Sequence, residues 1–205
     1  MKVSLDILRP TQFCVGKYEV IDKVKQFSPL LKHLSKLKDR LRMSKTPVVK
    51  GPGDNYYLID SHHRTCALFT LGITEVYVNC IKDYSHLSVV DFWKKMVKHE
   101  WVYLRDRKGN FRTVDELPTH FSGLKDDPYR SLAALCRDKG CFDKTAVPYA
   151  EFQWAEYFRM FKCLPDDWDE NKENVTKAVK ESCKLARMEE AKNLPGFKHK
   201  YMKKS

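Results

Sequence analysis

The chain has 205 residues, a formal net charge of +11 and 42% hydrophobic residues. This apolar content is enough for a buried core and excludes a chain that is disordered throughout. No apolar run approaches the roughly 20 residues of a membrane-spanning helix, and the N-terminus lacks the apolar core of a secretory signal. We therefore expect a cytoplasmic protein without a membrane partner. The seven cysteines show no CxxC spacing and no pairs that would complete a zinc site, which predicts reduced, mostly buried thiols.

The positive charge is concentrated in two stretches of the chain. Residues 23–50 contain nine basic residues and one acid, and residues 192–205 contain five lysines and no acid. Such stretches can bind the phosphates of nucleic acid. The alternative interpretation is a solvated helix face and a frayed C-terminal tail.

Hydrophobic patterning predicts an α/β arrangement for the first 85 residues. Helical spacing over 15–43 predicts a helix that breaks near Ser28 and Pro29. A second helix is predicted over 63–71 and ends at Gly72. Alternating or apolar runs predict four strands, which we expect in one sheet, over 3–8, 46–50, 56–60 and 75–82.

Beyond about residue 85 the pattern becomes helical. Helices are predicted over 89–97, 131–139, 149–161 and 171–192. The sequence thus predicts an α/β unit over 1–85, and a helical extension over 86–205 that packs on it and ends in a basic tail. After Pro195 and Gly196 we expect this tail to be mobile or lightly docked, because it has little apolar content to bury.

The sharpest chemical feature is the segment 57–68, YLIDSHHRTCAL. A strand ends at Asp60, a short polar turn follows, and a helix begins, so unpaired backbone amides should face any ligand there. The turn adds side-chain donors for a phosphate, namely Ser61, His62, His63 and Arg64. The alternatives are an ordinary N-cap with solvated histidines, or a metal ion on the two histidines.

These motifs, in this order, resemble the ParB/sulfiredoxin superfamily and, more narrowly, the ParB-like nuclease family. The resemblance covers residues 3–161 and implies a small mixed sheet followed by a mostly helical C-terminal part, an α/β (α+β) fold. The segments that resemble the family are LRPTQ at 8–12, DSHHR at 60–64, DDPYRSLA at 126–133 and EFQWA at 151–155.

The resemblance to sulfiredoxins implies phosphate binding and excludes their redox reaction. His63 and Arg64 match the phosphate-binding His-Arg of the sulfiredoxin turn, but His62 stands at its catalytic cysteine. Cys66 lies two residues beyond Arg64, inside the predicted helix, and cannot replace that cysteine. Sulfiredoxin-type reduction is therefore not expected.

The free-serine kinases of the superfamily match at a different residue. Asp60 matches their catalytic carboxylate and Arg64 their turn arginine, whereas Gln12 stands where their second carboxylate follows an early proline. Glu19 is the next carboxylate and is predicted on a helix surface. The family's nuclease description requires clustered carboxylates around metal ions, for which Asp126 and Asp127 are candidates beside Asp60. Gln12 and Arg130 are further candidate site residues, and Arg130 would either contact an anion or pair with Asp127.

We therefore expect the protein to bind a nucleotide or another phosphate-bearing ligand at Asp60–Arg64. Asp60 would be the catalytic base in phosphoryl-transfer or phosphodiester hydrolase chemistry, and Mg²⁺ would accompany a nucleotide. The alternative is a non-catalytic nucleic-acid-binding protein that uses residues 23–50 and 192–205. A third hypothesis is an interaction module whose anion site only stabilises the fold.

Overall fold

A computed structural model describes residues 1–165, 168 and 172–202 of the chain. The chain divides into two compact units, Met1–Asp126 and Asp127–Ser205. Residues 86–126 therefore group with the first unit, a division that differs from the one predicted at residue 85. The packing of residues 86–205 on the first unit as one extension stays a prediction.

The first unit is built on a five-stranded mixed sheet with the order β1-β6-β4-β5-β2, while β3 and β7 form a separate parallel pair. In the large sheet β4 runs parallel to β6 and antiparallel to β5, and β2 runs parallel to β5. The seven strands are β1 (Lys2–Ser4), β2 (Leu8–Arg9), β3 (Cys14–Val15), β4 (Thr46–Lys50), β5 (Tyr56–Leu58), β6 (Glu75–Asp83) and β7 (Lys125–Asp126).

The single sheet predicted from the four apolar runs is confirmed, with one difference at its start. The run over 3–8 is interrupted by a 3₁₀ turn, Leu5–Ile7, which the Ser4 side chain caps by accepting the Asp6 amide. Because the turn redirects the chain, β1 and β2 lie at opposite edges of the sheet. Leu5 itself is buried, which explains why its pattern resembles a strand.

Seven α-helices are described, and the predicted break near Ser28 and Pro29 is confirmed by a 3₁₀ segment between α1 and α2. Between α4 and α5 the described chain has only 3₁₀ turns, bridges and β7, so this part is less helical than predicted. Each described helix is too short or too polar to cross a bilayer. The helices are α1 (Lys17–Phe27), α2 (Leu34–Met43), α3 (His62–Thr70), α4 (Val89–Lys98), α5 (Pro128–Asp138), α6 (Ala150–Met160) and α7 (Lys172–Leu185).

Two apolar clusters hold the first unit together. In the larger cluster, Leu8, Val48 and Leu58 from three strands pack against residues of α1, α2 and α3, and all three are fully buried. In the smaller cluster, Phe92 and Met96 of α4 cover Val49 of β4. Because β5 is held by both β2 and β4, the end of β5 from which α3 begins has a fixed position.

The second unit has an aromatic core formed by α5, α6, α7 and the segments that follow them. The rings of Trp154 and Phe142 stack with centroids 4.2 Å apart. Phe197 belongs to this core and is only 9% exposed, and Lys198 pairs with Asp143 at 3.0 Å. The prediction that the tail after Gly196 is lightly docked is therefore wrong at Phe197 and Lys198. Residues 199–202 are exposed, and residues 203–205 lie outside the described residues.

The cysteines depart from the sequence prediction in one respect. Cys141 and Cys183 of the second unit are joined by a disulfide, whereas all seven thiols were expected to be reduced. The pairing could not be read from the sequence because 42 residues separate the two cysteines. The five free cysteines comprise three buried residues, the half-buried Cys163 and the exposed Cys80.

Candidate functional site

The turn between β5 and α3 has an unusual backbone. Ser61 adopts φ 70° and ψ 23°, the left-handed conformation that favours glycine. A side chain in this region costs free energy, and such residues cluster at functional sites. The strained turn exposes the Asp60 carboxylate, and its Oδ1 accepts the Ser61 amide at 2.5 Å. The other oxygen of Asp60 has no hydrogen-bond partner among the described residues.

The start of α3 is an uncapped helix N-terminus. The Ser61 side chain does not cap it, in contrast to Ser88, which caps α4 by accepting the Asp91 amide. Within the described residues, the amides of His62 and Arg64 have no hydrogen-bond acceptor. First-turn amides and the helix dipole together favour an anion at this position.

His62 points into the protein and not toward solvent. Its ring is 4% exposed, and Nε2 accepts the Thr11 amide at 3.1 Å. Burial lowers the pKa of His62 from 6.5 to about 3, so the ring is neutral at physiological pH. The Thr11 hydroxyl in turn donates to the Leu58 carbonyl of β5. His62 thus fixes the first turn of α3 to the segment after β2, and its ring presents no charge.

His63 lies on the opposite side of the turn, against the start of α1. Its Nε2 is 3.0 Å from the Gly16 amide nitrogen and 3.3 Å from Glu19 Oε2. A ring nitrogen can accept from Gly16 only without a proton and can donate to Glu19 only with one. The prediction that Glu19 is a surface residue is wrong, because its side chain is 18% exposed and contacts His63.

Arg64 carries an unsatisfied donor. Its Nη2 donates to the Thr46 hydroxyl of β4 at 3.2 Å, while its buried Nε has no hydrogen-bond partner in the described part of the chain. Burial lowers the pKa of Arg64, Asp60 raises it, and the neighbouring Arg40 of α2 lowers it further. Arginine nevertheless stays protonated in proteins, so a half-buried positive charge lies beside the start of α3.

Two of the additional candidate residues, Gln12 and Asp126, lie in the first unit, where their side chains form hydrogen bonds with the backbone. The Gln12 side chain is buried and donates from Nε2 to the Cys14 carbonyl at 2.6 Å. Asp126 Oδ1 accepts the Lys17 amide at 2.9 Å and so caps the first turn of α1. Asp126 is thereby held next to the helix that carries Glu19, the partner of His63.

The other two additional candidates belong to the second unit. Asp127 is 1% exposed, caps α5 by accepting the Tyr129 amide at 3.0 Å, and pairs with Arg159 at 2.9 Å. Arg130 is also buried, with its guanidinium over the Phe152 ring and 3.9 Å from a Glu151 oxygen. Both charges therefore have a partner of opposite sign within the second unit.

Sequence reasoning missed two residues that interact with Arg64. The charge of Arg40 lowers the pKa of Arg64, and the hydroxyl of Thr46 accepts a hydrogen bond from it. The basic stretch 23–50 indicated positive charge but could not single out Arg40. Cys66 cannot provide a thiolate here, because burial raises its pKa to about 12. This agrees with the absence of a sulfiredoxin-type cysteine from the turn.

The comparisons with known proteins agree with the resemblance seen in the sequence. A family model described as "Putative ParB-like nuclease" matches residues 1–160. A solved structure, protein Atu1540 from Agrobacterium tumefaciens, is 34% identical with a TM-score of 0.83, and the match covers 97% of this chain and 95% of that chain. None of the curated proteins matches the chain.

Proposed function

Because the chain belongs to the ParB-like nuclease family, we propose that its first unit binds a phosphate group at the start of α3. The phosphate belongs to a nucleotide or to a nucleic-acid strand. The observation that carries the proposal is the buried Nε of Arg64, a charged donor without an acceptor among the described residues. A buried donor without a partner costs about 1–3 kcal/mol, and more in a charged group, so a ligand that supplies the acceptor binds favourably.

A phosphate satisfies several donors of this turn at once. Its oxygens can accept from the amides of His62 and Arg64 and from the Arg64 guanidinium. Arg40 adds a second positive charge on the side of α2. In this proposal the His62 side chain does not contact the ligand, because its ring accepts the Thr11 amide. It is instead a positioning residue that holds the first turn.

Asp60 is the residue we assign to chemistry. Its exposed carboxylate has one oxygen without a hydrogen-bond partner among the described residues, and it lies close enough to Arg64 for their charges to interact. It can accept a proton from water during phosphodiester hydrolysis, or from a hydroxyl during phosphoryl transfer. Mg²⁺ would arrive with the phosphates of a nucleotide, which is a common way for proteins to bind this ion.

A second candidate function is nucleic-acid binding without catalysis. It rests on exposed cations of α2 and one cation two residues beyond its end, which make no ion pair with the described residues: Lys36, Lys38, Arg40, Arg42 and Lys45. Phosphate contacts by such residues supply affinity that falls linearly with log salt concentration. In the described part of the second basic stretch, residues 192–202, Lys192 pairs with Glu189 and Lys198 with Asp143, so two of its three lysines are paired.

The experiment compares Arg64→Ala, Arg64→Lys and Arg42→Ala for binding of nucleoside triphosphates and a short DNA strand, with and without Mg²⁺. Arg42→Ala is the matched control because it removes the same charge from an exposed side chain of α2. We expect Arg64→Ala to weaken binding at least about tenfold more than Arg42→Ala. Arg64→Lys should recover only part of the affinity that Arg64→Ala loses, since an ammonium group cannot form the two parallel hydrogen bonds of a guanidinium.

Asp60→Asn separates the catalytic form of the proposal from simple binding. Loss of a negative charge beside the ligand should leave phosphate affinity unchanged or higher, while hydrolysis of a labelled strand should fall by about 100-fold or more. If wild type binds DNA in a salt-dependent way but neither Arg64→Ala nor Asp60→Asn changes binding or turnover, the second candidate function holds instead. Equal losses in Arg64→Ala and Arg42→Ala would contradict the site.

A further inference from the structure

Four of the seven cysteines lie in the second unit, in three segments that are far apart in sequence. Cys136 comes from α5, Cys141 from the loop after it and Cys183 from α7. The three Sγ atoms all lie within 4.8 Å of one another. Cys163, which follows α6, is close enough to Cys136 for the two thiols to interact electrostatically. The fold therefore gathers three sulfur atoms and places a fourth thiol, that of Cys163, near one of them.

A serine hydroxyl lies among these thiols. Ser182 is fully buried, and its Oγ makes no hydrogen bond of normal geometry in the described part of the chain. It lies beside the thiols of Cys136 and Cys163. A buried hydroxyl without a partner costs free energy unless something polar fills the space. The cluster thus combines thiols with a buried polar side chain that has no hydrogen bond of normal geometry.

The disulfide alone does not account for this arrangement. A covalent bond needs only Cys141 and Cys183, yet a third sulfur, that of the fully buried Cys136, lies within 4.8 Å of both. Sulfur ligands of a tetrahedral zinc ion, with Zn–S bonds of about 2.3 Å, lie about 3.8 Å apart. The three sulfurs are therefore close to the spacing of such a site once the disulfide is open.

We propose that the reduced second unit binds a thiophilic divalent cation, of which Zn²⁺ is the type, through Cys136, Cys141, Cys183 and Cys163. The disulfide between Cys141 and Cys183 is the oxidised, metal-free state of the same site. This site is independent of the phosphate site of the first unit, because the residues of the two do not overlap.

The two states interconvert by a balanced reaction. A dithiol or phosphine reductant transfers two electrons to the Cys141–Cys183 bond, the S–S bond breaks, and each sulfur takes up a proton while the reductant is oxidised. Metal binding then displaces one proton from each coordinating thiol, because the thiolate is the ligand. In the opposite direction a two-electron oxidant, such as a peroxide or a small-molecule disulfide, takes two electrons from the Cys141 and Cys183 thiolates and is reduced. The S–S bond re-forms, the ion is released, and the thiolates of Cys136 and Cys163 take up protons.

The experiment uses the full chain, reduced with a phosphine under anaerobic conditions, freed of metal and titrated with Co²⁺. We expect one Co²⁺ per chain, with the thiolate-to-cobalt charge-transfer bands of a tetrahedral sulfur site, and displacement of Co²⁺ by Zn²⁺. Zn²⁺ should also raise the melting temperature of the reduced protein. The oxidised protein should bind neither ion. A reduced, folded chain without charge-transfer bands would overturn the proposal.

Single substitutions identify the ligands. Cys136→Ser and Cys163→Ser should each weaken Zn²⁺ binding beyond the roughly 10–100-fold that loss of an outer-shell partner causes. Cys80→Ser is the control, because Cys80 is exposed and lies in β6 of the first unit. Cys163→Ser replaces a half-buried thiol, which keeps the test valid if Cys136→Ser does not fold. Unchanged affinity in Cys163→Ser would overturn the four-sulfur site.

Discussion

The arginine of α3 in the first unit and the arginines of α5 and α6 in the second unit have opposite surroundings. In the second unit every arginine of α5 and α6 lies beside a carboxylate: Arg130 and Arg137 beside Glu151, and Arg159 beside Asp127. In the first unit Arg64 makes no ion pair with the described residues and has a buried Nε without an acceptor. Compensated charges serve the fold, whereas an uncompensated one is available to a ligand.

The pKa values of Glu151 and Asp127 show how burial and arginine partners act against each other in the second unit. Burial raises the pKa of Glu151, but Arg130 and Arg137 outweigh it and hold the pKa below its usual value. At Asp127 burial outweighs the single partner Arg159, and the pKa is raised. A carboxylate with two arginines thus stays charged more readily than one with a single arginine.

The largest effect should follow from breaking a compensated pair. Asp127→Ala leaves Arg159 without its buried partner and α5 without its cap, and should lower the free energy of unfolding by about 3–5 kcal/mol. Urea unfolding of the full chain measures this. Asp138→Ala is the control, because Asp138 pairs with Arg137 at 3.0 Å while 56% exposed and should cost less than about 1 kcal/mol. Equal losses in the two variants would contradict the comparison.

A somewhat smaller loss should follow at the C-terminal edge of the second core. Phe197→Ala removes a ring that is 9% exposed and should cost about 3 kcal/mol, at the low end for a buried phenylalanine. Tyr201→Ala, four residues later and 48% exposed, should change the unfolding free energy little. A stability of Phe197→Ala within 1 kcal/mol of wild type would restore the interpretation of a lightly docked tail.

The buried neutral ring of His62 in the first unit should make the free energy of unfolding depend on pH. The folded ring stays unprotonated down to about pH 3, whereas the unfolded chain binds a proton below its ordinary pKa of 6.5. Stability is therefore lost as pH falls, by about 2 kcal/mol from this residue between pH 7 and pH 5. His62→Gln keeps an acceptor for Thr11 and should remove that part of the pH dependence. His33→Gln, at an exposed histidine, should leave it unchanged.

The smallest effect on stability should come from the uncompensated arginine. Arg64→Met removes a half-buried charge and its unpaired Nε, so the unfolding free energy should stay within about 1 kcal/mol of wild type or rise. Arg159→Met, which leaves Asp127 buried without its partner, is the contrasting variant and should be strongly destabilising. A loss above about 2 kcal/mol in Arg64→Met would show that Arg64 serves the fold as the arginines of the second unit do.

Much of this protein was determined by local sequence. The alternating runs predicted the strands of the central sheet, and Ser28 and Pro29 predicted the break between α1 and α2. Both predictions succeed because the alternation of apolar residues and the fixed geometry of proline act within a few residues. The family followed from the order of short motifs, and the start of α3 was located to within a residue. Phosphate binding and catalysis at Asp60–Arg64 remain predictions that these features motivate.

Tertiary structure decided what each polar side chain contacts. His62 and His63 are adjacent in sequence, yet one is buried against Thr11 and the other contacts Glu19. The disulfide, the cysteine cluster and the approach of Arg40 to Arg64 also depend on segments brought together from far apart. Burial and pairing depend on which residues are close in space. The local sequence pattern cannot tell which distant residue contacts a given polar side chain.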